Sequence, residues 1–183
     1  MKKLLCIIII SCLAIGSSAL AGDLILGGDY MENGHSEDTN DRCINDGYSF
    51  NVGYDFMELK YEPWEWLGFE LQPGGLFTYT NYETAHRDYS WAPESKERRE
   101  SSLTLIGVVK PTVRVWRVSY YLMFGAGFDY MQSDGMDVGW LEDAQGLDFR
   151  ITDRVSLGVN ERKFMRDDGG FYKYQGAQIT ITF

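Results

Sequence analysis

The chain holds only two histidines, and each has a hydroxyl close by in the sequence. His35 adjoins Ser36, and His86 is followed by Asp88 and Ser90. Ester hydrolysis by serine needs that combination: a hydroxyl, a base to take its proton and an acid to orient the base. Both sets fall in polar stretches, where a solvated loop histidine is the simpler reading. Glu37, Asp38, Asp41 and Asp46 crowd carboxylates around the first histidine. Calcium would require oxygen ligands in alternation. Arg42 stands where one of them is needed, which leaves an acidic surface loop. Cys43 has no indicated histidine partner and is read as an incidental thiol. No catalytic residue, cofactor site or metal site is assigned on this basis, and no cofactor is expected.

The 183 residues include 17 Lys+Arg and 27 Asp+Glu, for a formal net charge of −10. That length fits one domain. The acidic balance argues against nucleic acid as a partner, because phosphate recognition calls for a basic stripe. Two histidines and a single cysteine in the body of the chain, Cys43, exclude most zinc sites and disulfide frameworks. No apolar run in the body of the chain approaches the ~20 residues of a transmembrane helix.

Residues 1–21 have the pattern of a cleaved secretory signal peptide: basic Lys2 and Lys3, an apolar stretch from Leu4 to Ile15, and Ala19-Leu20-Ala21 before Gly22. Ile9-Ile10-Ser11-Cys12 loosely fits a lipobox, but cleavage there would leave a short apolar run, and cleavage after Ala21 is preferred. Removal would leave 15 basic residues against 27 acidic ones, a net charge of −12. Cys6 and Cys12 would leave as well, so Cys43 would have no partner for an intramolecular disulfide.

What must position these residues is a set of strands. The chain alternates with a period of two, not 3.6. Ala177, Ile179, Ile181 and Phe183 share one face, opposite Gln178, Thr180 and Thr182. Tyr48, Phe50, Val52, Tyr54 and Phe56 oppose Ser49, Asn51, Gly53 and Asp55, and Tyr120 to Phe128 opposes Tyr121 to Asp129 in the same way. Turn signals divide 22–183 into eight such segments, near 23–31, 46–57, 66–82, 101–116, 118–131, 140–151, 155–165 and 171–183. The connections alternate between long polar ones (about 32–45, 83–100, 132–139 and 166–170) and tight ones. An even count with that alternation predicts an all-β fold, an eight-stranded antiparallel up-and-down barrel.

Which face looks inward decides between a lipocalin-like barrel and a membrane barrel. Opposite the apolar face lie Glu70, Lys110, Arg114, Asp129, Asp148, Arg150 and Arg162, together with Gly53, Gly68, Gly125, Gly127, Gly146, Gly158 and Gly176. Glycines there suit a cramped lumen in which charged side chains share little volume. Trp64, Trp66, Trp116, Tyr120, Trp140 and Phe183 cluster near segment ends, as girdles at two lipid interfaces would. A transmembrane β-barrel is therefore expected. Glu70, Asp129 and Asp148 would pair inside with Lys110, Arg114, Arg150 and Arg162 and plug the lumen.

These residues resemble the small eight-stranded outer-membrane barrels of Gram-negative bacteria, the OmpA-like and OmpX/Ail-like porin-family proteins. The resemblance covers essentially all of 22–183. It rests on Phe183 following alternating Ile179 and Ile181, on the run GLDFRITDRVSLGVNERK from Gly146 to Lys163, and on Phe124-Gly125-Ala126-Gly127-Phe128. It implies that Phe183 is the signal read by the barrel assembly machinery. It also implies contact with outer-membrane lipid and lipopolysaccharide, a monomer, and loops at the cell surface that present an unidentified ligand site. One departure stands out: Glu161 and Lys163 fall where the family has lipid-facing aromatics. Either a bulge shifts the register, or the pair lies above the hydrocarbon band.

Some barrels of this size modify lipid A. The deacylases among them carry His-x-Ser-Asn late in the barrel, and no histidine follows His86 here. The palmitoyl-transferring barrels begin with an amphipathic helix, which is not visible before Leu24. No cell-wall-binding domain is expected after the last strand. The expectation is a non-enzymatic outer-membrane protein with a plugged polar interior and acidic extracellular loops, the alternatives being a lipid A-modifying enzyme or a narrow channel.

Overall fold

The computed structural model describes residues 22–32, 34–36, 42–86, 98–132, 135–167 and 169–183. The expected signal peptide, 1–21, lies outside them, as do Glu37, Asp38, Asp41, Asp88 and Ser90. Eleven strands form one sheet: β1 Asp23–Met31, β2 Gly34–Ser36, β3 Arg42–Asp55, β4 Leu59–Trp64, β5 Leu67–His86, β6 Arg98–Val115, β7 Val118–Leu122, β8 Phe124–Met131, β9 Gly135–Arg150, β10 Val155–Arg166 and β11 Phe171–Thr182. All pairings among them are antiparallel.

The sheet closes on itself with eight staves. From Tyr121 the ladder passes through Gly146, Asn160, Gly176, Asp29, Ser49, Thr80 and Ser102, then returns to the starting stave at Met131. The path comes back ten residues further along, from 121 to 131. An offset of that size over eight staves sets a strand tilt of about 40°. Closure leaves neither β1 nor β11 as an edge, because Asp23 to Met31 pairs with Thr182 to Tyr174 along its whole length.

Three staves are broken: β1 and β2 are one stave, interrupted between Met31 and Gly34, and the other two breaks lie opposite a proline. The second stave is β3 followed by β4, and the gap at Phe56–Glu58 faces Pro73, between Gly74 (partner of Asp55) and Leu71 (partner of Leu59). β7 and β8 are one stave interrupted at Met123. The break lies opposite Lys110 and Pro111, between Thr112 (partner of Tyr121) and Val109 (partner of Phe124). A proline cannot donate to a ladder, so the neighbouring strand loses its register there.

These details correct the sequence boundaries. Residues 59–64 are strand, not connection, and the turn is Glu65-Trp66, flanked by the paired Trp64 and Leu67. At the opposite end the ladders climb into the polar stretches: Glu83 and Thr84 pair with Arg99 and Arg98, and β9 begins at Gly135. Polar residues ended the alternation signal there, but backbone pairing needs no apolar face.

Each expected outward row does face out, with Tyr48, Phe56, Leu122, Phe124, Phe128, Ile179 and Phe183 all exposed. The opposite rows, from Ser49, Asn51 and Asp55 to Gln178 and Thr180, are buried in the lumen.

Candidate functional site

The lumen is where the fold concentrates charge, and it is layered. Here "lower" means the end where β1 begins and "upper" the end where it finishes. Near the lower end Lys110 donates to Asp55 at 2.5 Å with both side chains buried. Arg114 reaches Glu70 at 3.1 Å and also Glu62. Half-buried Asp148 accepts from Gln178 at 3.0 Å, and Gln178 in turn accepts from Asn160 at 3.3 Å.

One turn of the lattice higher, Asp29 on β1 receives Arg162 from β10, Asn51 at 2.6 Å and Ser49 at 3.2 Å. The Asn51 carbonyl oxygen accepts from Arg162 at 2.9 Å and from Thr78 at 2.8 Å. Near the upper end Asp129, fully buried, accepts from Thr104 at 2.7 Å and Tyr172 at 3.1 Å. Arg166 lies 3.8 Å from Asp129 and 3.3 Å from Asp137. Charges taken out of water are tolerable only when paired and hydrogen-bonded in this way.

Between and above these polar layers the lumen is apolar. Leu76, Ile106, Val108 and Met123 are buried at mid-height, and Met31, Tyr82, Met131, Leu141, Phe164, Tyr172 and Tyr174 fill the upper half. The lumen holds a cavity of about 20 Å3 at mid-height and one of about 110 Å3 at the lower mouth. Lys110, Tyr121, Asp148 and Arg150 line the larger one. The inner glycines are where bulkier neighbours lean across: a Cβ at Gly176 would run into the Asp29 carboxylate, and one at Gly158 into Asp148.

The expected charge set is brought into the lumen, but its pairing differs. Glu70 and Arg114 meet. Lys110 takes Asp55, Arg162 takes Asp29 and Asp129 has Arg166, three partners that were not singled out. Asp148 takes an amide and Arg150 lines the lower cavity. Asp55 stood on the inward face of its strand and Asp29 opposes Leu24 and Leu26, so parity alone could have found both. Arg166 lay one residue beyond the expected strand.

Outside, an apolar band encircles the barrel. Trp64 stacks on Trp66 with ring centroids 5.6 Å apart at the lower end, beside Trp116. Tyr30 and Tyr48 meet edge to face at 5.7 Å near the upper end, and Tyr130 and Trp140 are exposed as well. One place breaks the band. Gln145, Glu161 and Gln175 form a ladder row, and Asp143, Lys163 and Lys173 form the row two residues above it. The register does shift beside Lys163, but the extra residue, Glu142, is on β9. Arg162 and Phe164 stay buried in the lumen, so Glu161 and Lys163 remain outward.

Such a barrel, apolar outside and charged within, is matched by known structures. Neisserial surface protein A superposes with a TM-score of 0.54 at 12% identity, over 91% of this chain and 100% of that one. The chain has the fold of the small outer-membrane β-barrels. Two more of these barrels align over similar lengths: Ail, the attachment invasion locus protein of Yersinia pestis (TM-score 0.48, 12% identity, 90% of this chain and 100% of that one), and the outer membrane enzyme PagL (0.46, 12%, 88% and 99%). No protein-family model and no curated protein sequence matches the chain.

In this barrel the seam lies at the lower end, where the Phe183 amide donates to the Gly22 carbonyl at 3.1 Å. The histidines lie at the upper rim. Arg42 on β3 pairs with Ser36 on one side and His86 on the other, and Cys43 pairs with His35. Ser36 and His86 are thus two strand spacings apart, about 10 Å between backbones.

Proposed function

We propose that the chain is a non-enzymatic integral protein of the outer membrane, exported through a cleaved signal peptide, with a plugged lumen and acidic loops on the cell surface. One observation carries this reading: the large exposed side chains that encircle the staves are aromatic and aliphatic, broken chiefly by the polar patch on β9–β11, while Lys110, Arg114 and Arg162 are buried in the lumen against carboxylates. A protein in water inverts that arrangement, whereas a closed barrel in lipid requires it. The apolar and aromatic layer across the upper lumen supports a plug over a narrow channel.

The test is insertion followed by conductance. The purified protein, refolded into lipid vesicles, is expected to migrate faster unheated than boiled and to give no large steady current in a planar bilayer. A steady current of porin size would overturn the plugged lumen. Failure to insert into any bilayer would overturn the membrane reading itself.

A further inference from the structure

The lower mouth of the lumen holds polar groups that its ion pairs leave unused. Its cavity of about 110 Å3 is lined by polar residues alone. Three of them, Arg150, Ser156 and Thr180, stand side by side in one ladder row across β9, β10 and β11. Thr180 is only 7% exposed, and its Oγ1 has no hydrogen-bond partner. Among the described residues neither the Arg150 guanidinium nor the Ser156 hydroxyl has a partner either. Asp148 faces the same cavity from the row above, its Cα about 7 Å from that of Arg150. Its Oδ1 accepts from Gln178 at 3.0 Å and leans over Gly158, where a Cβ would collide with it. Its Oδ2 is left without a donor among the described residues.

Most other charges at this mouth are paired. Glu58 meets Lys60, Glu70 meets Arg114, Lys110 meets Asp55, and Asp23 accepts from Gln72 at 3.5 Å. What remains is a guanidinium beside two hydroxyls, with a free carboxylate oxygen above them. An anion alone would face Asp148, with Asp23 and Asp153 lining the same cavity. A cation alone would leave the donor row without an acceptor. We propose that the lower mouth binds a small zwitterion, its anionic group on the Arg150–Ser156–Thr180 row and its ammonium on Asp148 Oδ2. Charge-assisted hydrogen bonds then form at both ends. A cavity of this size admits a molecule of only a few heavy atoms. A free α-amino acid and the phosphoethanolamine headgroup of a lipid share the required chemistry. The site needs the closed ring of staves and does not rest on the membrane reading.

The experiment uses the full barrel refolded in dodecyl maltoside micelles, which present no charged headgroup. L-alanine is the probe, and its binding is followed by saturation-transfer NMR. Saturable binding is expected, and alaninamide and N-acetylalanine, which each lack one charge, should bind about tenfold or more weakly. Arg150→Gln and Asp148→Asn should each raise the dissociation constant for alanine by a similar factor, and Thr180→Val by less. Arg150, Asp148 and Thr180 hold no ion pair among the described residues. Faster migration of unheated samples shows in each case that the barrel is folded.

No saturable transfer to alanine from the folded, unsubstituted barrel would overturn the site. Binding that alaninamide or N-acetylalanine matches would overturn it too, as would binding that survives all three substitutions. Lipid discs then separate the two sources. Alanine binding lost in phosphatidylethanolamine but kept in phosphatidylglycerol assigns the site to the lipid headgroup, and binding kept in both assigns it to a free amino acid. Binding lost in both would overturn the site in a bilayer. None of these readouts depends on conductance or insertion, so their failure is distinct from failure of the proposed function.

Discussion

Arg162 and Asp29 meet across the lumen from staves that are remote in sequence, and neither side chain has water to fall back on. Removing one partner strands the other. Arg162→Met is therefore expected to cost about 3–5 kcal/mol of stability, measured by urea unfolding from vesicles. Asp29→Asn with Arg162→Met leaves no lone charge and should recover most of the loss. A double variant as unstable as the single one would mean that shape, not charge, is what the site supplies. Gly176 tests the same place from the other side. Its Cβ would occupy the volume of the Asp29 carboxylate, so Gly176→Ala should destabilise by about 1–3 kcal/mol as the carboxylate is pushed off its donors.

At the scale of strands, parity was legible and boundaries were not. The alternation in Tyr48 to Phe56 and in Ala177 to Phe183 fixes which face is buried, because a slip of one residue would reverse every side chain. Neither break beside Pro73 and Pro111 could be read, since each depends on which residue of the next stave comes to lie opposite. The interior partners Asp55 and Asp29 were visible as inward residues. That Lys110 would choose Asp55 over Asp148 depends on the ten-residue offset of the ring, which no single segment reveals.

The last strand carries its own prediction. Phe183 is exposed at the lower end of the seam, and as one more lipid-facing ring it would be worth roughly 2 kcal/mol. If it is a recognition signal, its deletion should lower the amount of barrel in the outer membrane and raise periplasmic degradation, while refolding into detergent changes little. Normal membrane levels after the deletion would remove the signal role.

For the whole molecule the open matter is its orientation. The tight turns, Glu65-Trp66, Trp116-Arg117 and 151–154, lie at the same end as Gly22 and Phe183, and the polar connections lie at the other. With the lower end in the periplasm, protease added to intact cells should nick 32–45 or 83–100 first. Cleavage confined to the tight turns would mean that the barrel is inverted.

The hydrogen bond from Phe183 to Gly22 makes the first and last described residues neighbours, so the order in which the staves are synthesised is separable from the order in which they stand in the ring. A short linker joining 183 to 22, with a new opening cut between 87 and 97, would keep every ladder pairing while placing β6 first and β5 last. Such a circular permutant has the same folded contacts but a different C-terminal residue. Its behaviour would show how far the finished ring, and how far the direction of travel along it, decides whether the chain reaches its membrane.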